Sequence, residues 1–152
     1  MERFSDKLDE LLQGAFQFVL KIEEQMLHSM GPVRLSISEI HLLEAVGKAG
    51  EGGRSVTELA RELSIAPSSV TNAIKKLEAK GFLLRTKGER DARTVWITLT
   101  EEGVNANRRH AYFHARMVRN IAKDMQEDEQ AVLLHAMEKL NEYFKRQLMR
   151  EQ

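Results

Sequence analysis

Cysteine is absent from this chain of 152 residues, proline occurs only at Pro32 and Pro67, and Trp96 is the single tryptophan. Without cysteine there is no disulfide, no thiolate metal ligand and no oxidisable-thiol switch. No run of 18 apolar residues occurs, so membrane insertion is not expected. The opening residues Met1-Glu2-Arg3-Phe4-Ser5-Asp6 lack the basic start and apolar core of a signal peptide, which makes the cytoplasm the expected compartment. Also missing are a Gly-rich phosphate loop, His-Glu-x-x-His and Gly-x-Ser-x-Gly, so no enzyme is expected and no cofactor is required. Net charge is the last absence: 23 basic residues balance 23 acidic ones. That balance is uneven along the chain. Between Arg54 and Arg93 nine Lys/Arg face five acids, a surplus of +4, and the remainder, with 14 against 18, carries −4. A basic middle between acidic ends suits a polyanion-binding module on a separate scaffold.

The hydrophobic share of 42% and charged share of 30% belong to a chain that folds, and the length to one domain. From Phe4 to about Leu27, apolar residues at steps of three and four (Leu8, Leu11, Leu12, Ala15, Val19, Ile22, Met26) predict a long amphipathic helix, ended by Gly31-Pro32. Ser36-Ile-Ser-Glu39 and Ser55-Val-Thr-Glu58 have the spacing of capping boxes and predict two further helix starts. Pro67 suits the first position of a fourth helix, which runs through Val70, Ile74 and Leu77 to Gly81. Two short helices around a tight break outline a helix-turn-helix. Phe82 to Arg85 and Thr94 to Leu99 then read as strands of a hairpin whose charged tip spans Thr86 to Arg93. Two more helical stretches follow, one through Val104, Tyr112, Phe113, Met117, Val118 and Ile121, the other through Val132, Leu133, Met137, Leu140, Phe144 and Leu148. The expected fold is mainly α with a small β-hairpin wing. Residues 34–100 form a winged helix-turn-helix, and residues 1–33 and 101–152 a helical dimerisation region, because long apolar stripes outside the small reading unit call for a second subunit.

In a helix-turn-helix the second helix enters the major groove. With Val70, Ile74 and Leu77 as its buried stripe, Ser68, Ser69, Thr71, Asn72, Lys75 and Lys76 are left to face DNA. Hydroxyls approach phosphates or base edges, Asn bonds adenine, and lysines suit phosphates. An ordinary solvated helix face has the same composition, so the hairpin decides. Lys87, Arg90 and Arg93 at its tip can reach a minor groove, and Asp91 and Arg93, two apart in extended chain, can pair to stiffen the wing.

The order of helix, basic hairpin and Leu-Thr opening a long helix resembles the MarR family of transcription regulators. Asp91-Ala-Arg93, Ile97, Leu99-Thr100 and Gly103 stand in that family's register, as do Leu59-Ala60, Leu63, Val70-Thr71, Ile74, Leu77 and Lys80-Gly81. Ala66 departs from it, standing where a capping Ser is usual. The resemblance implies a homodimer on a pseudo-palindromic duplex operator, acting as a repressor whose affinity is set by an effector. Val19 to Glu24, Ser36 to Gly47 and Tyr112 to Val118 further resemble the MarR-type repressors of bacterial fatty-acid synthesis genes, which implies an acyl-chain or acyl-carrier-protein effector.

His110 and His114, at i and i+4 on one stripe, join His41 and Phe113 as the candidate effector pocket, for an acyl-type or other apolar ligand. The competing use of these residues is a Zn²⁺ site, with a carboxylate of the first helix, Glu23 or Glu24, added; the ligand set is then Glu24, His41, His110 and His114. Histidines that merely line a pocket or core are the bland alternative. Two other readings of the whole chain stand: an interaction module with a winged-helix fold but no DNA binding, and, weakest, a metal-dependent hydrolase on His41, His110 and His114.

Overall fold

Ser36 and Ser55 each accept a hydrogen bond from the backbone N–H three residues on, while Glu39 and Glu58 reach back to the serine N–H groups at 2.8 Å. Both capping boxes therefore form as the spacing predicts. The computed structural model describes residues 3–88 and 93–150. Helix α1 spans Phe4–His28, α2 Ile37–Gly47, α3 Val56–Leu63 and α4 Pro67–Ala79; strands β1 (Leu83–Lys87) and β2 (Val95–Leu99) follow, then α5 (Glu101–Ala122) and α6 (Glu127–Arg150). A short 3-10 turn, Gly50–Gly52, links α2 to the edge of the sheet.

Helix α1 stops three residues before Gly31-Pro32, where the Ser29 hydroxyl and N–H both turn back onto the Met26 carbonyl. Ser64, in the left-handed conformation, makes the tight break between α3 and α4. Pro67 occupies the first turn of α4 behind an Ala66 that offers no side-chain cap, an omission worth about 1 kcal/mol. The strands pair antiparallel with Leu83 opposite Leu99 and Lys87 opposite Val95. Thr86 and Lys87, expected in the tip, belong to β1, because the pairing continues two residues beyond Arg85. Arg54 adds a bridge on the far side of β2, exchanging backbone hydrogen bonds with Ile97. Its guanidinium reaches the Ala45 carbonyl and Glu62, so one residue joins wing, α2 and α3.

The core gathers Ile40, Leu43 and Val46 of α2, Leu59 of α3, Val70, Ile74 and Leu77 of α4, and Leu83 and Ile97 of the wing. Two glycines are needed where these elements meet. Gly81 has φ of +85°, letting the chain leave α4 with the Phe82 N–H bonded to the Leu77 carbonyl. Gly103 lies so close to the Phe82 carbonyl that a Cβ there would collide with it. Beside it, the Thr100 hydroxyl donates to the Gly81 carbonyl and accepts from the Gly103 N–H, capping α5.

By its contacts the chain divides into two compact units, the first reaching to Phe113 and the second beginning at His114. Helix α1 thus falls with the reading elements, since Leu27 joins the same core. This division of one chain by its internal contacts is a different partition from the dimerisation region, residues 1–33 with 101–152, expected from sequence. Many of the stripe residues are exposed in the single chain: Phe4 at 83%, Phe18 at 64% and Val132 at 71%.

At the end of α4, Lys80 donates to both oxygens of Glu39 and to the Arg34 carbonyl, each at 2.8 Å. Burial alone would raise the Glu39 carboxyl, but Lys80 and the Ser36 N–H outweigh it and hold it below its usual 4.5. A carboxylate held low contributes stability above its unfolded pKa and loses it as pH falls through the folded value. Lys80→Met is therefore expected to lose about 1–3 kcal/mol at pH 7, with the difference from the parent shrinking once pH drops below the Glu39 pKa. Urea denaturation of both proteins at pH 7 and pH 3 measures this; a gap that stays constant would show that Glu39 ionisation is not involved.

Candidate nucleic-acid interface and effector site

Helix α4 buries Val70, Ile74 and Leu77 completely, which turns Ser68, Ser69, Asn72, Lys75 and Lys76 to solvent on the opposite face. Thr71 differs from these: it is half-buried and its hydroxyl donates to the Pro67 carbonyl at 3.0 Å. Its oxygen keeps an acceptor site only, so of the six expected DNA-facing residues it is the least free to approach a phosphate. Lys87 is exposed at the end of β1, and Arg93 at the return into β2. Arg90 and Asp91, with the expected Asp91–Arg93 pair, lie outside the described residues.

His41, His110 and Phe113 of the candidate effector pocket come together. His110 stacks on Phe113 with centroids 6.5 Å apart and tilts against His41 at 6.1 Å. His114, four residues further along α5, belongs to the second unit. The centre of the group is a residue the ligand set did not include. Glu23, buried in α1, places Oε1 2.5 Å from His110 Nε2 and 3.4 Å from His41 Nε2. Glu24 is exposed. Consecutive helical positions differ by about 100°, and Glu23 shares the inward face with Leu27 at i+4, whereas Glu24 does not.

On its other side, His110 Nδ1 lies 2.5 Å from Glu44 Oε1. His110 thus bridges α1, α2 and α5 from a position that is 1% exposed. Only a doubly protonated ring donates at both nitrogens; with one proton it donates to one carboxylate and turns a lone pair on the other. Sequence reasoning missed Glu44, although its spacing of three from His41 puts it on the same part of α2. It also missed Lys80 with Glu39 and Arg54 with Glu62. Each of those pairs brings together residues distant in sequence, except for Arg54 and Glu62, eight apart. Lys48 and Arg54 hold the Glu62 carboxyl below its usual value through hydrogen bonds, Lys48 contributing most.

Residues 35–95 match the model of the MarR family. Over 136 residues the chain is 27% identical to the HTH-type transcriptional regulator YwhA of Bacillus subtilis (strain 168), covering 89% of this chain and 96% of that one. Over 92 residues it is 34% identical to the HTH-type transcriptional repressor MdtR of the same organism, covering 60% of this chain and 56% of MdtR. Among solved structures, that of Streptococcus pneumoniae FabT in complex with DNA superposes with a TM-score of 0.87 at 31% identity, covering 93% of this chain and 97% of FabT. Fold and relatives together define a winged helix-turn-helix transcription regulator. The chain belongs to the MarR family.

Removing one partner of a buried hydrogen bond leaves the other unsatisfied, which costs about 1–3 kcal/mol and more for a charged group. His110→Leu is expected to lose stability on that scale, and Glu23→Leu combined with His110→Leu to recover much of it. A denaturation cycle over the parent, two single variants and the double variant checks this; additive losses would show that Glu23 and His110 do not depend on each other.

Proposed function

We propose that this regulator acts as a homodimeric repressor that binds a pseudo-palindromic duplex through α4 and the wing. The observation that carries the reading is the two-sided α4: a fully buried Val70, Ile74, Leu77 stripe behind exposed Ser68, Ser69, Asn72, Lys75 and Lys76. Such a face also occurs on solvated helices, and what supports DNA contact is its place on the second helix of a helix-turn-helix directly followed by the wing. Thr71, Lys87, Arg90 and Arg93 complete the proposed contact set, with Asp91 stiffening the tip. The exposed apolar residues of α1, α5 and α6 support a subunit partner, since fully covering one such side chain is worth about 1.5–3 kcal/mol. A cytoplasmic site of action belongs to the same proposal. Among the described residues no helix is long and apolar enough to cross a membrane.

The effector reading is an acyl-type or apolar ligand that binds the DNA-competent and incompetent arrangements unequally. The 31% identity to pneumococcal FabT supports the fatty-acid-synthesis subgroup. The pocket proposed from sequence for that ligand comprises His41, His110, Phe113 and His114. A second reading, Zn²⁺ as effector, is favoured by one observation: ligand atoms of Glu23, His41 and His110 all lie within 4.8 Å of one another. The residues fit such an ion. Glu44 on Nδ1 would orient His110 with Nε2 toward the metal, and a carboxylate behind a ligating histidine is the usual supporting partner.

Sedimentation at micromolar concentration is expected to show twice the 17.4 kDa chain mass; a purely monomeric protein would remove the dimer. On a duplex selected from a random pool, Lys76→Ala should weaken binding across sequences and lower the salt slope by about 1, while Asn72→Ala should relax base preference at a cost of about 1–3 kcal/mol. Parent-like affinity and selectivity in both variants would displace the interface from α4. If micromolar Zn²⁺ changes DNA affinity reversibly with chelator and acyl ligands do not, the second effector reading holds and the first falls.

A further inference from the structure

Away from the His110 cluster, the first unit contains a cavity of about 440 Å³ between the linker that joins α1 to α2, the start of β1 and the N-terminal half of α5. That volume lies in the range of small-molecule sites, about 300–1,000 Å³. Leu35, Phe82 and Ala106 are buried and give it an apolar floor, with Met30 beside them and Val33 at the mouth, 41% exposed. Two cations border it, and they are not equivalent. The three donors of the Lys80 ammonium are taken by the Arg34 carbonyl and the two Glu39 oxygens. Arg109 donates through Nη1 to the Met30 carbonyl at 2.5 Å. Among the described residues no carboxylate pairs with Arg109, and a guanidinium has five donors. The remaining charged lining residue, Glu102, stands two turns back along α5, about 10 Å from Arg109 along the helix axis.

An apolar floor with one uncompensated cation at one end selects an amphiphile with one anionic head. A carboxylate matches the planar fork of a guanidinium in two parallel hydrogen bonds, and at Arg109 it keeps its distance from Glu102. We infer that this cavity, rather than the space around His41 and His110, binds a small amphiphilic monocarboxylate, its chain on Leu35, Phe82 and Ala106 and its carboxylate on Arg109. Around His110 the carboxylates and imidazoles are already bonded to one another, which does not suit an alkyl chain. As an effector site the proposal rests on the regulator reading above. Its route to the interface is short: the ligand would tie the α1–α2 linker to Phe82, which follows α4 directly and whose carbonyl packs on Gly103 of α5.

Calorimetric titration of the full chain with decanoate and with decanol tests the assignment. Decanoate should bind saturably, one per chain, and at least tenfold more tightly than decanol. Arg109→Gln should abolish that preference by weakening decanoate alone, and Val33→Asp should weaken both by placing a carboxylate at the mouth. Both positions are exposed, and circular dichroism of each variant confirms the fold. No saturable binding at millimolar decanoate, or parent-like binding by both variants, would overturn the site; loss of binding in His41→Ala with both variants unaffected would return the ligand to the histidines. The selected duplex separates the two proposals. A duplex bound with the same affinity at saturating decanoate overturns the effector role, whereas failure to select any duplex overturns the regulator reading and leaves the decanoate isotherm to decide the site.

Discussion

A single buried imidazole holds the reading unit together. His110 stands between Glu23 of α1 and Glu44 of α2, 2.5 Å from each, so three helices that share little sequence meet at one ring. An imidazole has a polar nitrogen on each side of the ring, so one side chain can engage carboxylates from two different helices. The arrangement is costly to bury and costly to break. It also explains why α1, whose exposed face looks like a subunit interface, is anchored at its C-terminal end to the elements that carry α4 and the wing.

A second polar tie secures the far end of α4. Lys80 fastens it to Glu39, and Glu39 is also the capping residue of α2, so the cap and the ion pair share one side chain. Directly after it, Gly81 turns the chain, Phe82 enters the core, and Thr100 and Gly103 bring the first turn of α5 against the same carbonyl. Recognition helix, wing and long helix therefore leave one small junction in fixed directions. Packed junctions of this kind transmit a local change in discrete steps, which is the physical requirement for a regulator whose ligand and DNA do not touch.

The two clusters differ in chemistry, and the difference sorts their uses. Around His110 the groups are ionisable and mutually bonded, with Glu23 and His110 buried and His41 and Glu44 reaching toward solvent, a setting suited to a metal ion. Beside Arg109 the walls are apolar with one cation at the edge, a setting suited to an amphiphile. Both lie within the unit that carries α4, and each involves α5 and the N-terminal part of the chain.

The local elements were legible because their causes are local. Two Ser-x-x-Glu spacings, Pro67, the Val70, Ile74, Leu77 period and the Leu99-Thr100 pair each act within one or two turns, and each appears where the spacing puts it. Helix ends were less so: α1 stops at His28 because Ser29 bonds backward, before Gly31 and Pro32 can act. Tertiary structure alone decided which acid reaches the histidines. Glu23 and Glu24 are chemically identical, and only the rotation of α1 about Leu27 turns the first inward and leaves the second in water. The same holds for Glu44 against His110, Lys80 against Glu39 and Arg109 against Met30, separated by 66, 41 and 79 residues. Such pairs depend on how helices rotate and meet. Periodicity along one chain specifies which face is apolar, but the partner of each polar group on that face is set by packing.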